Sequence, residues 1–211
     1  MNKRLINFLT VFLVVFILVL GIPSFLSLNP FIYFNEAKKT NIVFDDFEYL
    51  YENVHGFLLL RNSLSDNFTI DENNHMQDVR LLINTLKIFS FIFIMVLAST
   101  LFLINKIKGT KKRKTELTNF FNNLKKGGFI SLSFLIFLTI IVFINFSFSF
   151  DAFHRIFFPQ GNWLFSADSL LITLFPQTFF LNMAKKIFIT NTLFISLLIL
   201  IIHLLENQNK Y

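Results

Sequence analysis

The chain has 211 residues, of which 54% are hydrophobic and 32 are Phe, and it carries a formal net charge of +6. A water-soluble domain of this length has too little interior to hide that much apolar surface, so lipid is the expected solvent. Cysteine is absent, which excludes disulfides, thiolate nucleophiles, zinc–thiolate sites and lipid attachment to a Cys of the chain itself.

Four apolar runs are long enough to span a bilayer, over residues 5–27, 81–105, 128–149 and 187–205. The first follows Lys3 and Arg4. It is expected to be retained, because it is too long for a signal-peptide core and no small-x-small cleavage site follows it. Residues 106–127 hold Lys106, Lys108, Lys111, Lys112, Arg113, Lys114, Lys125 and Lys126 against Glu116 alone, whereas residues 28–80 are rich in Asp and Glu. The positive-inside rule therefore puts the 106–127 loop, residues 1–4 and the tail 206–211 in the cytoplasm. Segments 28–80 and 150–186 then lie outside. Lys185 and Lys186 oppose this assignment and are outvoted. The basic loop reads as a topology signal that touches anionic lipid heads, not as a nucleic-acid surface.

The first outer segment is expected to be a small domain of mixed α and β structure. Phe31–Phe34 and Asn41–Phe44 read as short strands. Phe47, Leu50, Tyr51, Val54, Phe57 and Leu58 follow helical spacing, with Asp45 or Asp46 as cap. Thr69-Ile70-Asp71-Glu72 has the spacing of a capping box, opening a helix that runs without a breaker into the second span. The second outer segment is dense in aromatics. Pro159-Gln160-Gly161 reads as a turn, Asp168 as the cap of a helix beginning at Ser169, and Ser169–Phe175 and Phe179–Leu181 as interfacial pieces too short to span.

His75 precedes Leu81 by six residues, on the order of 9 Å of helix, and His154 follows the third span by five. Both fall at headgroup depth on the outer side. His75 and Asp78, three apart on one helix face, suit a base oriented by a carboxylate, or an ordinary surface pair. His154 with Arg155 suits polarisation of a carbonyl or oxyanion, or headgroup contact. His55 reads as structural or solvated, His203 as snorkelling or bonded to a neighbouring helix, and Trp163 as an interfacial anchor. No metal-ligand spacing occurs, although Asp78 or Asp151 could add a third ligand to the two histidines. Ser131 or Ser133 with His203 and Glu206 forms a weaker hydrolase-like set on the cytoplasmic side.

The stretch from Phe68 through His75-Met76-Gln77-Asp78-Val79 resembles the His-Met-x-Asp-Val motif of the lipoprotein intramolecular transacylase (Lit) family of four-span bacterial membrane proteins. His154-Arg155-Ile156-Phe157-Phe158, Gly161-Asn162-Trp163-Leu164-Phe165, Asp168-Ser169-Leu170-Leu171 and Leu174-Phe175-Pro176 resemble its second signature. Residues 28–67 match poorly, and Tyr51 and Asn53 receive no assignment. The resemblance implies an enzyme that moves the sn-2 acyl chain of a lipoprotein's diacylglyceryl group to the α-amino group of its N-terminal Cys. It implies His75 and His154 as catalytic residues. Asp78 and Arg155 are expected to support them, and Phe157, Phe158, Gly161 and Trp163 to line the substrate. No metal or cofactor is expected. The expected partners are the lipoprotein and membrane phospholipid, with the protein a monomer in the cell membrane. Rival readings are a non-catalytic accessory or transport-associated membrane protein with interfacial histidines, and a bis-His haem protein.

Overall fold

The computed structural model describes residues 3–39 and 44–208, and among these every regular element is helical. Four helices are long and apolar enough to cross a membrane, within Lys3–Leu26, Ile70–Asn105, Thr110–Ile144 and Gln177–Leu205. Their apolar side chains, such as Phe91, Ile92, Met95, Phe137 and Leu197, are largely exposed. That inversion of the soluble pattern fits hydrocarbon, where a helix satisfies its own backbone and needs no apolar partner.

By contacts the chain falls into two compact units. One comprises residues 1–23, 87–138 and 189–211, and the other residues 24–86 and 139–188.

The first unit contains α1 (Lys3–Phe16), a π-helical turn (Ile17–Gly21) and parts of α5 (Ile70–Asn105), α6 (Thr110–Ile144) and α9 (Gln177–Gln208). Small residues let its backbones approach closely, as membrane helix pairs require. A Cβ at Gly127 would lie 2.6 Å from Val14 Cγ1, and one at Gly21 would lie 2.1 Å from Ser90 Oγ. Polar side chains add interhelical bonds. Asn123 donates to Asn7 Oδ1 at 2.9 Å, and the fully buried Asn191 donates to the Leu18 carbonyl inside the π-helical turn at 2.8 Å. Ser131, a member of the weaker serine set, is buried and gives its hydroxyl proton to the Gly127 carbonyl at 2.7 Å. His203 is exposed on α9.

The second unit contains α2 (Ile22–Leu26), most of it in this unit, with α3 (Pro30–Ala37), α4 (Phe44–Leu58), α7 (Phe146–Phe157), α8 (Leu170–Leu174) and the first parts of α5 and α9. The expected mixed α and β domain is helical instead. Phe31–Phe34 lies in α3, because Asn29 caps the Ile32 N–H and Pro30 occupies the first helical position, where its missing N–H costs nothing. Residues 41–43 lie outside the described residues, and Phe44 already opens α4. Asp45 and Asp46, the expected caps, fall inside that helix.

The helical spacing expected over 47–58 is realised. Leu50, Tyr51, Val54, Phe57 and Leu58 are buried in a core shared with Tyr33, Leu174, Phe175 and Phe179. His55 shares that face. It is 5% exposed, its Nε2 is 3.0 Å from the Leu28 carbonyl, and its ring lies against Tyr33 and Phe34. It is structural and not solvated. Tyr51, completely buried, donates to the Leu174 carbonyl at 2.8 Å. The Glu36 side chain is fully buried and paired with Lys39 and Lys186. Burial alone would raise its pKa, but hydrogen bonds and charge from the two lysines outweigh that and hold the carboxyl below its ordinary range. Lys186, the residue that runs against the charge rule, thus carries a neutralising partner.

The third long helix stops at Ile144. Asn145 takes an extended conformation and its side chain accepts the Phe148 N–H, so α7 starts as a new helix. Phe179–Leu181 belongs to α9, which begins at Gln177.

Candidate active site

The site lies wholly in the second unit. His75 enters on the first turns of α5, whose start is the capping box read from the sequence. The Thr69 backbone N–H and hydroxyl donate to Glu72 Oε2 at 2.8 and 3.0 Å, and the Glu72 N–H donates to Thr69 Oγ1 at 3.3 Å. Glu72 is 1% exposed, and its other oxygen accepts the Leu171 N–H at 2.8 Å. That second bond reaches α8, whose cap is Ser169, bonded to the Ile172 N–H, and not the expected Asp168. Asp168 is exposed, one residue upstream. One buried carboxylate therefore fixes both the start of the helix that carries His75 and the start of α8.

His154 lies in the last turn of α7. The two imidazole rings stack at 6.0 Å between centroids, inclined by 29°, and are 5% and 9% exposed. An aromatic wall encloses them. Phe158 lies edge-on to His75 at 4.9 Å and contacts His154 at 5.7 Å. Phe165 lies on His75 at 5.6 Å, and Trp163 and Phe150 lie on His154 at 4.9 and 4.1 Å. The Phe158-to-Gly161 turn closes with a 3.1 Å backbone bond, and Gly161 takes φ +79°, a conformation glycine adopts without strain. It carries the chain from Phe158 back to Trp163.

His154 Nδ1 is 2.8 Å from the Phe150 carbonyl, which can only accept. Nδ1 therefore carries the proton, and Nε2 holds the lone pair of the neutral ring. Burial pushes the His154 pKa below the ordinary imidazole range, and the Phe150 carbonyl and the Asp151 charge, which favour the proton, offset this only in part. Two imidazolium ions 6.0 Å apart would repel by about 3 kcal/mol at an effective dielectric of about 20. The pair accordingly accommodates one proton far more readily than two.

The structure brings His75, His154, Phe158 and Trp163 into contact. Arg155 and Phe157, one and three residues beyond His154, are exposed. Asp78 receives two amides at its Oδ2, from Gln160 at 2.7 Å and from Asn162 at 2.6 Å. The Asn162 side chain also lies beside the His75 ring, yet Asn162 Oδ1 and His75 Nδ1 are both buried without a completed hydrogen bond. Gln160, Asn162, Phe165 and Glu72 are thus site residues that spacing alone does not assign. Asn162 and Phe165 stand in the signature around Trp163, and Glu72 in the capping box. Among the described residues no three His, Cys, Asp or Glu side chains gather closely enough to hold a metal ion.

A buried imidazole pair, one ring basic at Nε2, enclosed by aromatics and attached to apolar helices, suits proton transfer on a lipid-borne substrate kept from water. Residues 5–180 match the family model described as lipoprotein intramolecular transacylase Lit. No curated protein matches the chain. Among solved structures, the membrane-integral lipoprotein intramolecular transacylase Lit from Bacillus cereus superposes with a TM-score of 0.74 at 19% identity, covering 98% of this chain and 96% of that one. A His-to-Ala mutant of the same protein gives 0.69 at 18% identity with coverage of 98% and 94%. A His-to-Arg mutant gives 0.64 at 17% identity with coverage of 97% and 93%. At these identities the likeness shows a shared fold.

Proposed function

The chain belongs to the lipoprotein intramolecular transacylase family, and from that premise we propose that it moves the sn-2 acyl chain of a lipoprotein's diacylglyceryl group to the α-amino group of the N-terminal Cys, with His75 and His154 handling the protons. The observation that carries this reading is the enclosed imidazole pair, stacked at 6.0 Å.

In the reaction the amine nitrogen attacks the ester carbonyl, forming the N–C bond and an oxyanion. Collapse breaks the bond between that carbon and the glyceryl oxygen. One imidazole takes the proton that the nitrogen sheds, and the glyceryl oxygen receives a proton as it leaves. The sequence suits His75 to the base and His154 to polarising the carbonyl or protonating the leaving oxygen, or the same two roles reversed. The bond from His154 Nδ1 to Phe150 makes neutral His154 an acceptor at Nε2, so it can donate there only after accepting a proton. The neighbouring charge of Asp78 favours the protonated intermediate. Because donor and acceptor are one molecule, the site mainly folds its substrate into attack geometry, a contribution worth roughly 7–11 kcal/mol in well-aligned cases. Phe158 and Trp163 exclude the water that would hydrolyse the ester. The basic loop 106–127 supports cytoplasmic termini and a site on the outer face, at the depth of the glyceryl ester. The protein acts as a monomer, with the lipoprotein and phospholipid as its partners.

The test is a reporter lipoprotein produced in cells lacking N-acylation, with wild type, His75→Ala or His154→Ala supplied. Fragmentation of the N-terminal peptide by mass spectrometry detects an acyl chain moved to the amine at unchanged total mass. Wild type is expected to give the N-acyl lyso form and neither variant to do so. Persistence of the diacylglyceryl form with well-expressed wild type overturns the reading.

A further inference from the structure

A carboxylate only accepts hydrogen bonds, so Asp78 dictates which way the Asn162 amide faces. The NH2 group must point at Asp78 Oδ2, 2.6 Å away, and the carbonyl oxygen must point elsewhere. Amide orientation is often ambiguous; here the carboxylate determines it, and Gln160 holds that carboxylate from a second side at 2.7 Å. Asn162 Oδ1 is then a buried acceptor without a donor, and the neighbouring His75 Nδ1 a buried ring nitrogen without a partner. A small closing movement with the proton on Nδ1 satisfies both atoms, and a proton on Nε2 satisfies neither.

We propose that Asn162, aligned by Asp78, is the positioning residue that holds the His75 proton on Nδ1, so that both histidines present a basic Nε2. The inference rests on the transacylase reading and deepens it. His154 is already in this tautomer through the Phe150 carbonyl. Two bases match the proton balance of the reaction. An α-amino group arrives largely as the ammonium near neutral pH. Ammonium plus ester gives amide, alcohol and one released proton. The nitrogen sheds two protons, of which one leaves for solvent and the other ends on the glyceryl oxygen. One Nε2 frees the amine, and the other takes the second proton during attack and returns it to the departing oxygen. Repulsion between the rings makes these steps sequential, since the first proton must leave before the second is held. Asp78, expected from its spacing to orient His75 directly, does so at one remove.

The test uses full-length protein in detergent micelles with ring-15N-labelled histidine, the His75 signals being identified by their loss in His75→Gln. Wild-type His75 is expected to show a protonated Nδ1 and a bare Nε2. Asn162→Leu, close in volume and without the amide, is expected to give a mixture of tautomers, with kcat lowered about tenfold to a hundredfold, as when an orienting partner is removed from a metal-bound imidazole, and KM unchanged. Asp78→Asn is the second variant should Asn162→Leu fail to fold. It preserves volume, frees the Asn162 amide to turn over and is expected to release the tautomer as well. A wild-type His75 protonated at Nε2, or a tautomer indifferent to both substitutions, overturns the proposal. A tautomer that follows Asn162 in a wild type that transfers no acyl chain sinks the reaction and its two-base scheme, while leaving the hold of Asn162 on the ring established.

Discussion

The backbone N–H of Leu171 and the carboxylate of Glu72 meet at 2.8 Å, joining residues 99 apart in sequence. The same carboxylate closes the capping box with Thr69. Glu72→Ala removes the acceptor of three hydrogen bonds inside a nearly closed environment, and an orphaned buried donor costs about 1–3 kcal/mol. The substitution is expected to lower stability by about 2–4 kcal/mol, with Glu72→Gln intermediate because its amide keeps one acceptor oxygen. Thermal unfolding in detergent, with Glu52→Ala on the exposed side of α4 as control, checks this. Equal loss in the two alanine variants would mean that the Glu72 carboxylate does not hold the two segments together.

Acidification should be felt at His154. Its folded pKa lies below the ordinary value of about 6.5. Between those two values the unfolded chain binds more protons than the folded one, so stability rises with pH across that window and is lost as pH falls through it. Glu36, also depressed when folded, adds a loss of the same sign in a lower window, beneath about pH 4.3. Unfolding temperatures recorded from pH 7.5 down to 4 are expected to fall, with the upper part of the slope flattened in His154→Gln. By the same shift, the acid limb of the activity profile belongs below pH 6.5. Wild-type stability that increased on acidification across this range would contradict the assignment.

Trp163 covers His154 at 4.9 Å but is itself only half buried, so its removal opens the pair to water without deleting a core residue. In Trp163→Ala the acyl chain is expected to partition between the amine and water, releasing free fatty acid that wild type does not release. Thin-layer or mass analysis of the lipid fraction measures the ratio. Slower transfer with no increase in fatty acid would mean that the indole positions substrate and does not exclude solvent.

The absence of cysteine makes orientation easy to test. Asp66 and Lys112 are both exposed, and a single Cys at either position is the chain's only thiol. A membrane-impermeant maleimide is expected to label Asp66→Cys in intact cells and Lys112→Cys only after permeabilisation. The opposite pattern inverts the topology and places the histidine pair on the cytoplasmic side.

Local signals in the sequence are legible, and relationships between distant segments are not. The capping box and the α4 face can be read because their determinants lie within one or two turns. The four apolar spans can be read by length and composition. Phe31–Phe34 reads as a strand yet folds as a helix, since its apolar run carries no period and the deciding residues, Asn29 and Pro30, stand just upstream. His55 looks polar by position, but the neighbours that bury it come from α3 and the Leu28 carbonyl. The histidines stand out by depth along their helices. The bonds that set Asp78 come from side chains 82 and 84 residues away, and spacing along the chain holds no record of such distances.

The bond from Asn191 to the Leu18 carbonyl bears on what the membrane helices are free to do. Apolar helices in lipid can slide past one another cheaply, since every methyl group exchanges one hydrocarbon neighbour for another. A single buried amide on a single carbonyl has one register. Displacement of α9 by one residue along the Lys3–Leu26 span separates the pair by roughly 1.5 Å and leaves a polar group stranded in hydrocarbon. Of the rigid-body motions open to these two helices, axial sliding is the one this contact opposes, whereas rocking about the contact is still allowed.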